Sequence, residues 1–280
     1  MSLTILYAAV LFSALTHASW NALVKTSGDR LLLLASIRTL GMFLGIMVAP
    51  FVPLPSLQSV PWLLGAAAMH YIYYALLLNA YRLGDISQVY PIARGTAPLI
   101  VVVLGIFFAG ELLDRTTLFG IFVLSSGLFV LSVSGSTIHR LVLLFAFGTG
   151  ISIAGYSFLS GMGIRESATL IGYIAWLEIA KGAGLTLFAW HRRRGRIAGY
   201  LKNNWRSSLA AGFLSVGSFT VSVAVMSVAP IAPVVALRVT SVVFAAIIGS
   251  IFLREGFAGK RITAAVIVVI GVVLIGLSAT

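Results

Sequence analysis

The sequence predicts an all-α integral membrane protein, with ten transmembrane helices arranged as a 5+5 inverted-topology repeat. The first observation is composition: 60% of the 280 residues are hydrophobic and 9% are charged, with a mean hydropathy of +1.07. Ordinary soluble domains carry about a quarter charged residues. The second is that apolar stretches of roughly 18 or more residues, enough to span a bilayer, recur along the whole chain. The third is that the two halves of the chain repeat each other.

The lengths of the apolar runs predict the spans in chain order. Residues 3–24 are longer than a signal-peptide core and lack a preceding basic region, so we interpret them as the first span. The connections are short, as in residues 50–61, so none separates two soluble domains. Gly41 and Gly45 have the small-xxx-small spacing of close packing inside the molecule. The ten predicted spans are residues 3–24, 31–49, 61–81, 86–109, 116–134, 140–159, 168–190, 206–227, 231–253 and 262–279.

An offset of 144 residues, the difference between 94 and 238, aligns the first half with the second. It places Arg94 on Arg238 and Glu111 on Glu255, which chance rarely gives in a chain so poor in charge. The same offset aligns Ala80 with Ala224, Thr96 with Thr240, Gly105 with Gly249, Phe108 with Phe252 and Gly127 with Gly271. We therefore divide the chain into residues 1–138 and 139–280. Because five is an odd number of spans, the second repeat enters the membrane from the opposite side, as in secondary transporters.

A set of polar and small residues lies at defined points of these spans. In the first half they are Trp20-Asn21 followed by Lys25, Arg38 early in span 2, Ala80 ending span 3, and Pro98 thirteen residues before Glu111. In the second half they are Tyr156-Ser157, Ala224 and Glu255, with Val242 where a proline would mirror Pro98. In these residues the chain resembles EamA-type members of the drug/metabolite transporter superfamily, over essentially its whole length. The resemblance implies two EamA-like repeats and an alternating-access carrier of small organic solutes, often an exporter, without a bound cofactor.

The basic residues outside the spans are divided unequally between the two sides. Of 19 Lys and Arg, 13 lie in odd-numbered loops, and only Arg115 and Arg165 lie in even-numbered ones. The positive-inside rule then places both termini outside, whereas the resemblance implies cytoplasmic termini. The run HRRRGR at residues 191–196 favours anionic lipid headgroups as partners of the 191–206 loop, rather than nucleic acid. We expect a multi-pass protein of a bacterial inner membrane.

The charges inside the spans are the main functional signal. Four basic residues lie there, against one deep acidic residue, Glu178; they are Arg38, Arg94, Lys181 and Arg238. An arginine at a helix centre costs roughly 2.5–3.5 kcal/mol on insertion scales. At about 1.5 Å per residue, Arg94 and Arg238 lie roughly 12 and 10 Å into antiparallel spans, so both approach the midplane. Two interpretations stay open: the guanidiniums bind an anionic substrate, or they form structural hydrogen bonds.

The other charged residues of the spans have simpler interpretations. Glu178 and Lys181 are three residues apart on one helix face, so they can pair with each other. Glu178 is also a candidate for proton coupling. Arg38 matches a family position near a helix end and is interpreted as structural. Glu111 and Glu255 lie where spans end, and we interpret them as helix caps rather than as catalytic groups.

Two groups of polar aromatic residues each occupy one helix face. In span 1 the group is His17, Trp20 and Asn21, and in span 3 it is His70, Tyr73 and Tyr74. The spacing i, i+3, i+4 brings the members of each group together. Such residues either hydrogen-bond to neighbouring helices or line a substrate cavity. The candidate substrate-binding residues are therefore Arg94, Arg238, His17, Trp20, Asn21, His70 and Tyr74.

These observations favour a secondary active transporter of a small anionic or zwitterionic metabolite, such as a carboxylate, an amino acid, or a phosphate or phosphonate compound. Its substrate would lie between spans 1, 3, 4, 6, 8 and 9. The alternatives are a non-transporting scaffold or lipid-binding protein and, less favoured, a membrane-embedded enzyme. The four histidines are scattered and no H-E-x-x-H motif occurs, while zero cysteines exclude thiol chemistry. We expect no metal, no cofactor and a chain that works as a monomer.

Overall fold

The computed structural model describes residues 2–25, 29–84, 86–132, 139–252 and 259–278. Within these ranges the secondary structure is helical, and two single 3₁₀ turns, Ala49–Phe51 and Leu57–Ser59, connect the second helix to the third. The helices are α1 (Leu3–Lys25), α2 (Arg30–Val48), α3 (Val60–Leu83), α4 (Ile86–Ala109), α5 (Arg115–Ser132), α6 (Arg140–Glu166), α7 (Leu170–Arg192), α8 (Arg196–Asn203), α9 (Trp205–Met226), α10 (Ile231–Val239), α11 (Ser241–Phe252) and α12 (Gly259–Leu277).

The predicted fold class, ten membrane-spanning segments in an all-α protein, is confirmed. Nine segments of the described chain are long and apolar enough to cross a membrane, with α10 and the start of α11 counted together as Ile231–Ile248. α12 adds a shorter apolar segment, Ile262–Leu277. An apolar run of about 20 residues is long enough to cross a bilayer. Such a run forms a helix because its backbone groups must then be hydrogen-bonded within the segment.

The ninth predicted span, residues 231–253, is present as a candidate membrane span from Ile231 to Ile248, but it is not one uninterrupted helix. It breaks at Thr240 into α10 and α11. The Thr240 hydroxyl donates to the carbonyl of Leu237 at 2.6 Å, and the Thr240 N–H also bonds to Leu237, at 3.2 Å. Both bonds tighten the last turn of α10 and compete with the regular helical pattern. The break in the helix at Thr240 therefore lies two residues after Arg238.

Two further differences lie at helix ends and in a loop. The sixth span continues to Glu166, seven residues beyond the predicted end at residue 159. The basic 191–206 loop contains the short helix α8, which begins after Gly195 at a φ of 75°. Ile197 of α8 is buried against α2 and α7, while Arg196 and Lys202 are exposed. Burial of one apolar face stabilises this short helix within the basic segment.

The prolines of the fourth span lie within one continuous helix. α4 begins at Ile86, five residues before Pro91, so Pro91 does not start it. Pro98 lies further along the same helix. Each proline removes one backbone donor and frees a carbonyl. α4 therefore lacks two backbone hydrogen-bond donors, at Pro91 and Pro98, on either side of Arg94.

The packing of the helices follows an approximate two-fold relation between the repeats. α2 packs on α7 and α5 on α12, each helix against its own repeat mate. α1 packs on α9 and α11, and its mate α6 packs on α3 and α4. At the α5–α12 crossing, the Cα of Gly127 faces the carbonyl of Ala264, and that of Gly271 faces the carbonyl of Gly120. The 144-residue offset exchanges these two contacts, as an inverted repeat requires.

The small-xxx-small pair in α2 makes the predicted internal contact. A Cβ on Gly45 would lie 2.5 Å from the carbonyl oxygen of Ala175 in α7, and one on Gly41 would lie 2.6 Å from the Glu178 carboxylate. Neither position has room for a side chain. The two glycines thus bring α2 and α7 close together, with a carboxylate directly between them.

We predict that Gly271→Ala destabilises the protein and that Gly276→Ala on the same helix does not. A Cβ at position 271 would meet backbone atoms at 2.7 Å, whereas nothing lies within 4 Å of one at position 276. Overpacking costs about 1–3 kcal/mol, while alanine is favoured over glycine in an open helix position by up to about 1 kcal/mol. Thermal unfolding in detergent measures both. Equal unfolding temperatures for the two variants would contradict the close α5–α12 crossing.

Candidate functional site

The candidate site residues lie in the middle of the molecule, on helices of both repeats. Among the described residues, Arg94, Arg238, His17, Trp20, His70 and Tyr74 are buried, and Glu178 is buried as well. Asn21 is half-buried, and its amide donates at 2.8 Å to the His17 carbonyl of its own helix. The structure thus buries most of the predicted residues, whereas the Asn21 amide is hydrogen-bonded within its own helix, α1.

His17 faces a hydrogen-bond donor at each of its two ring nitrogens. Arg94 Nη2 lies 2.6 Å from Nε2, and the Trp20 indole Nε1 lies 3.3 Å from Nδ1. A neutral imidazole has only one acceptor nitrogen, so His17 cannot accept from both residues together. The shorter contact is with Arg94, and the indole N–H of Trp20 is then left without an acceptor on His17.

The Arg94 guanidinium also contacts an aromatic ring. Its Cζ atom lies 5.1 Å from the centroid of the Tyr90 ring, one helical turn earlier in α4. This cation–π contact and the His17 contact together position the charge of Arg94, a residue that is only 3% exposed. Neither partner carries a negative charge, so the arginine is positioned without being neutralised.

The second repeat contributes Phe219 of α9, whose ring contacts two cations. Lys181 Nζ lies 3.4 Å from the ring centroid, and Arg238 Cζ lies 5.5 Å from it. The Nε atom of Arg238 is buried and has no hydrogen-bond partner among the described residues. Arg238 lies on α10, which packs on α4, the helix that carries Arg94. The two arginines that the sequence singled out therefore lie on helices that pack against each other.

His70 connects Phe219 to a group of tyrosines. Its ring stacks on Tyr156 at 4.0 Å and meets the edge of Phe219 at 5.7 Å. Tyr73 and Tyr74 pack around the same group, at 5.6 Å from Tyr156 and 6.2 Å from His70 respectively. His70 Nδ1 lies 2.8 Å from the Ala66 carbonyl, which can only accept, so Nδ1 carries the proton and Nε2 is the acceptor.

Comparison with known proteins supplies the family. Residues 140–277 match the model of the EamA-like transporter family. The second half of this chain is an EamA-like transporter domain. The match places the chain in the drug/metabolite transporter superfamily and confirms the resemblance seen in the sequence. Members of this family are transporters rather than enzymes, and the chain is a multi-pass membrane transporter.

One solved structure shows the same fold over almost the whole transporter. It is described as "Crystal structure of protein" and superposes with a TM-score of 0.73. It covers 99% of this chain and 96% of its own length, at 18% sequence identity. At that identity the likeness establishes the fold alone. No curated protein matches the transporter.

The transporter carries an excess of positive charge inside its spans. We call Arg38, Arg94, Lys181 and Arg238 the basic cluster; each is less than 9% exposed. Glu178 is the one acidic residue that accompanies them within the described spans. Lys181 Nζ lies 2.5 Å from its carboxylate and Arg38 Nη1 lies 3.8 Å away. The predicted pairing of Glu178 with Lys181 is therefore present, and Arg38 joins it while also donating to Ser215.

Glu111 caps a helix, as predicted, but the helix belongs to the other repeat. Its two carboxylate oxygens accept from the backbone N–H of Ile231, at 2.8 and 3.0 Å, where α10 begins. Arg165 of α6 donates to the same carboxylate at 2.6 Å. The helix that follows Glu111, α5, is instead capped by Asp114, which accepts from Thr117. Glu255, the repeat mate of Glu111, lies outside the described residues.

Sequence reasoning did not identify Phe219, Tyr156 or Arg165 as functional residues of the transporter. Phe219 is one apolar residue of an apolar helix, and no local pattern marks it. Tyr156 was noted in the family resemblance but had no assigned partner. Arg165 was counted only as a loop charge, although its guanidinium also donates to the carbonyls of Met226 and Ala229, at 3.0 and 2.9 Å. In each case the signal lies in contacts between distant helices.

We predict that Glu111→Gln lowers the stability of the transporter by about 1–3 kcal/mol, because the amide loses the charge that Arg165 and the α10 N-terminus share. The matched control is Glu166→Gln, a change of the neighbouring, exposed carboxylate. We expect the control to unfold like the wild type in detergent. If Glu111→Gln also unfolds at the wild-type temperature, the contact between the repeats at α10 contributes no stability.

Proposed function

We propose that this transporter is a secondary active, alternating-access carrier of a small anionic or zwitterionic metabolite: a carboxylate, an amino acid, or a phosphate or phosphonate compound. The observation that supports this best is the charge balance of the basic cluster. Four buried cations face one carboxylate among the described residues of the spans. Burying uncompensated charge is costly, and an anionic substrate offsets that cost for as long as it is bound.

In this proposal Arg94 and Arg238 bind the negative group of the substrate. They come from α4 and α10, which are repeat mates and pack on each other. The contacts of Arg94 with His17 and Tyr90 leave its charge unneutralised, and Arg238 Nε is without a partner among the described residues. A guanidinium fork binds a carboxylate or phosphate in a bidentate manner. A site between the two repeats suits a carrier that alternates its access.

The aromatic residues of the site would contact the rest of the substrate. Trp20 offers an indole N–H that His17 cannot accept together with Arg94. His70 presents Nε2, and Tyr74 packs beside it. These groups, with Asn21 at the edge, would offer a bound substrate both apolar surface and polar atoms, which is typical of small-molecule sites.

A scaffold or lipid-binding role is the second candidate. We place the transporter in a bacterial inner membrane as a monomer, with the basic 191–206 loop near anionic headgroups. In the loop's short helix, Arg196 and Lys202 are exposed while Ile197 is buried against the protein. This arrangement favours lipid contact by charge, and it fits either role. Solute turnover across a sealed bilayer separates the transporter from the scaffold.

We predict that small carboxylates stabilise the wild-type protein and that Arg94→Gln/Arg238→Gln abolishes this response. A ligand that binds the native state raises its unfolding temperature by mass action. The experiment is thermal unfolding in detergent with a panel of anionic, neutral and cationic solutes. The control is Arg115→Gln, which removes an exposed arginine at the start of α5 and leaves the response intact.

Two outcomes would contradict the anionic substrate. One is stabilisation by cations or neutral solutes and not by anions. The other is an equal response to anions in the wild type and in the folded Arg94→Gln/Arg238→Gln protein, which would make both arginines structural.

We include in the proposal that Glu178 couples transport to protons. It is 2% exposed and belongs to α7 in the second repeat, where an ionisable residue inside the membrane is a candidate for a proton relay. In proteoliposomes, a pH gradient drives accumulation of the anion that stabilises the wild type, and Glu178→Gln abolishes that accumulation. Glu166→Gln, at the exposed end of α6, retains it. Wild-type accumulation by the Glu178→Gln protein would exclude Glu178 from coupling.

A further inference from the structure

Lys181 is completely buried in α7, with an exposed fraction of 0%. Lysine side chains in membrane proteins normally extend toward the interface and keep the ammonium in water. Here the ammonium instead lies 3.4 Å from the centroid of the Phe219 ring. The same ring contacts Arg238 at 5.5 Å and His70 at 5.7 Å. Lys181 therefore faces the candidate site and not the lipid or a loop.

The pairing of Lys181 with Glu178 leaves hydrogen-bonding capacity unused. Lys181 Nζ lies 2.5 Å from a Glu178 carboxylate oxygen. Beyond this ion pair, Lys181 Nζ has no hydrogen-bond partner among the described residues. An ammonium has three donors and no acceptor. The contact with Glu178 occupies one of them, so the other donors are free for an incoming acceptor.

Glu178 has a second cation beside it. Arg38 Nη1 lies 3.8 Å from Oε2, and Arg38 is itself fixed by its bond to Ser215 on α9. Gly41 leaves the space that the carboxylate occupies, because a Cβ there would lie 2.6 Å from Oε2. If Lys181 turns to another anion, Glu178 remains next to Arg38. The buried carboxylate is never left without a counter-charge, which would be strongly unfavourable.

We propose that Lys181 is a third basic ligand of the substrate, beside Arg94 and Arg238, and that Glu178 is its counter-ion while the site is empty. Arg38 acts as a positioning residue that retains Glu178 when Lys181 binds substrate. This inference rests on the proposed function and narrows it. Lys181 and Arg238 both contact the Phe219 ring, and Arg94 lies on the helix that packs on α10. Three cations in this arrangement favour a substrate with two negative charges. The class is a dicarboxylate or a phosphate monoester rather than a monocarboxylate.

A purely structural role for Lys181 predicts different behaviour. If Lys181 only neutralises Glu178, replacing both residues by neutral ones removes the pair and leaves substrate binding intact. If Lys181 is a ligand, the same replacement removes one substrate contact. The double variant Lys181→Met/Glu178→Gln therefore separates the two roles, and it avoids the unpaired carboxylate that Lys181→Met alone would leave.

The experiment compares succinate, which has two carboxylates, with butyrate, which has one and is similar in length. Apparent affinities come from thermal unfolding of the full chain in detergent at increasing concentrations of each probe. We expect the wild type to bind succinate about tenfold more tightly than butyrate. In Lys181→Met/Glu178→Gln this preference falls to near unity through loss of succinate affinity. Methyl phosphate at neutral pH serves as a second dianion and loses affinity in parallel.

Glu178→Gln alone is the second variant. It keeps the inference testable if the double variant Lys181→Met/Glu178→Gln does not fold. It is nearly isosteric and frees Lys181 from its counter-ion, so succinate binding tightens severalfold. Unchanged succinate affinity in Glu178→Gln, or a wild-type preference for succinate in the double variant, would overturn the inference.

The proposed function fails in a different way. If no anion stabilises the wild type, both proposals are wrong. If Arg94→Gln/Arg238→Gln abolishes anion binding while Lys181→Met/Glu178→Gln keeps the wild-type preference for succinate, the proposed function stands and only the role of Lys181 is wrong.

Discussion

Positive charge buried between membrane helices is the constraint on which the rest of this structure depends. The basic cluster places four cations, each less than 9% exposed, against Glu178 alone in the described spans. Aromatic rings and neutral acceptors contact these cations. Phe219 contacts Lys181 and Arg238, and His17 and Tyr90 contact Arg94. These contacts position the charges and reduce their cost without cancelling them. The net charge that remains is what a substrate can neutralise.

The inverted repeat explains how the cations come together. Crossings of repeat mates, such as α5 on α12 and α2 on α7, are closed by glycines whose Cα atoms approach backbone carbonyls of the opposite helix. α4 and α10, with one arginine each, also pack on one another across the two repeats. Glu111 then joins the first repeat to the start of α10 in the second. A change of access would have to break or move such contacts between repeats.

The fold was largely predictable from the sequence, whereas the site was predictable only in part. Long apolar runs fix the spans, and the 144-residue offset exposes the repeat, because both signals are local or periodic. Arg94 and Arg238 stand out because charge is rare in an apolar chain. Phe219 does not stand out, since one phenylalanine among apolar residues carries no local signal until Lys181 is seen to face it. The α10 cap by Glu111 depends likewise on a tertiary contact, whereas the break at Thr240 accompanies local hydrogen bonds to Leu237.

The most direct test of the central claim is exchange of size-matched solutes that differ in charge, by the wild-type protein in sealed proteoliposomes. Labelled succinate and its neutral analogue succinamide have similar size and differ in charge. The account predicts that vesicles containing the protein exchange succinate, saturably and faster than protein-free vesicles, and that they do not exchange succinamide. Exchange of succinamide at the rate of succinate, or exchange of cationic solutes alone, would show that the buried positive charge does not select the substrate.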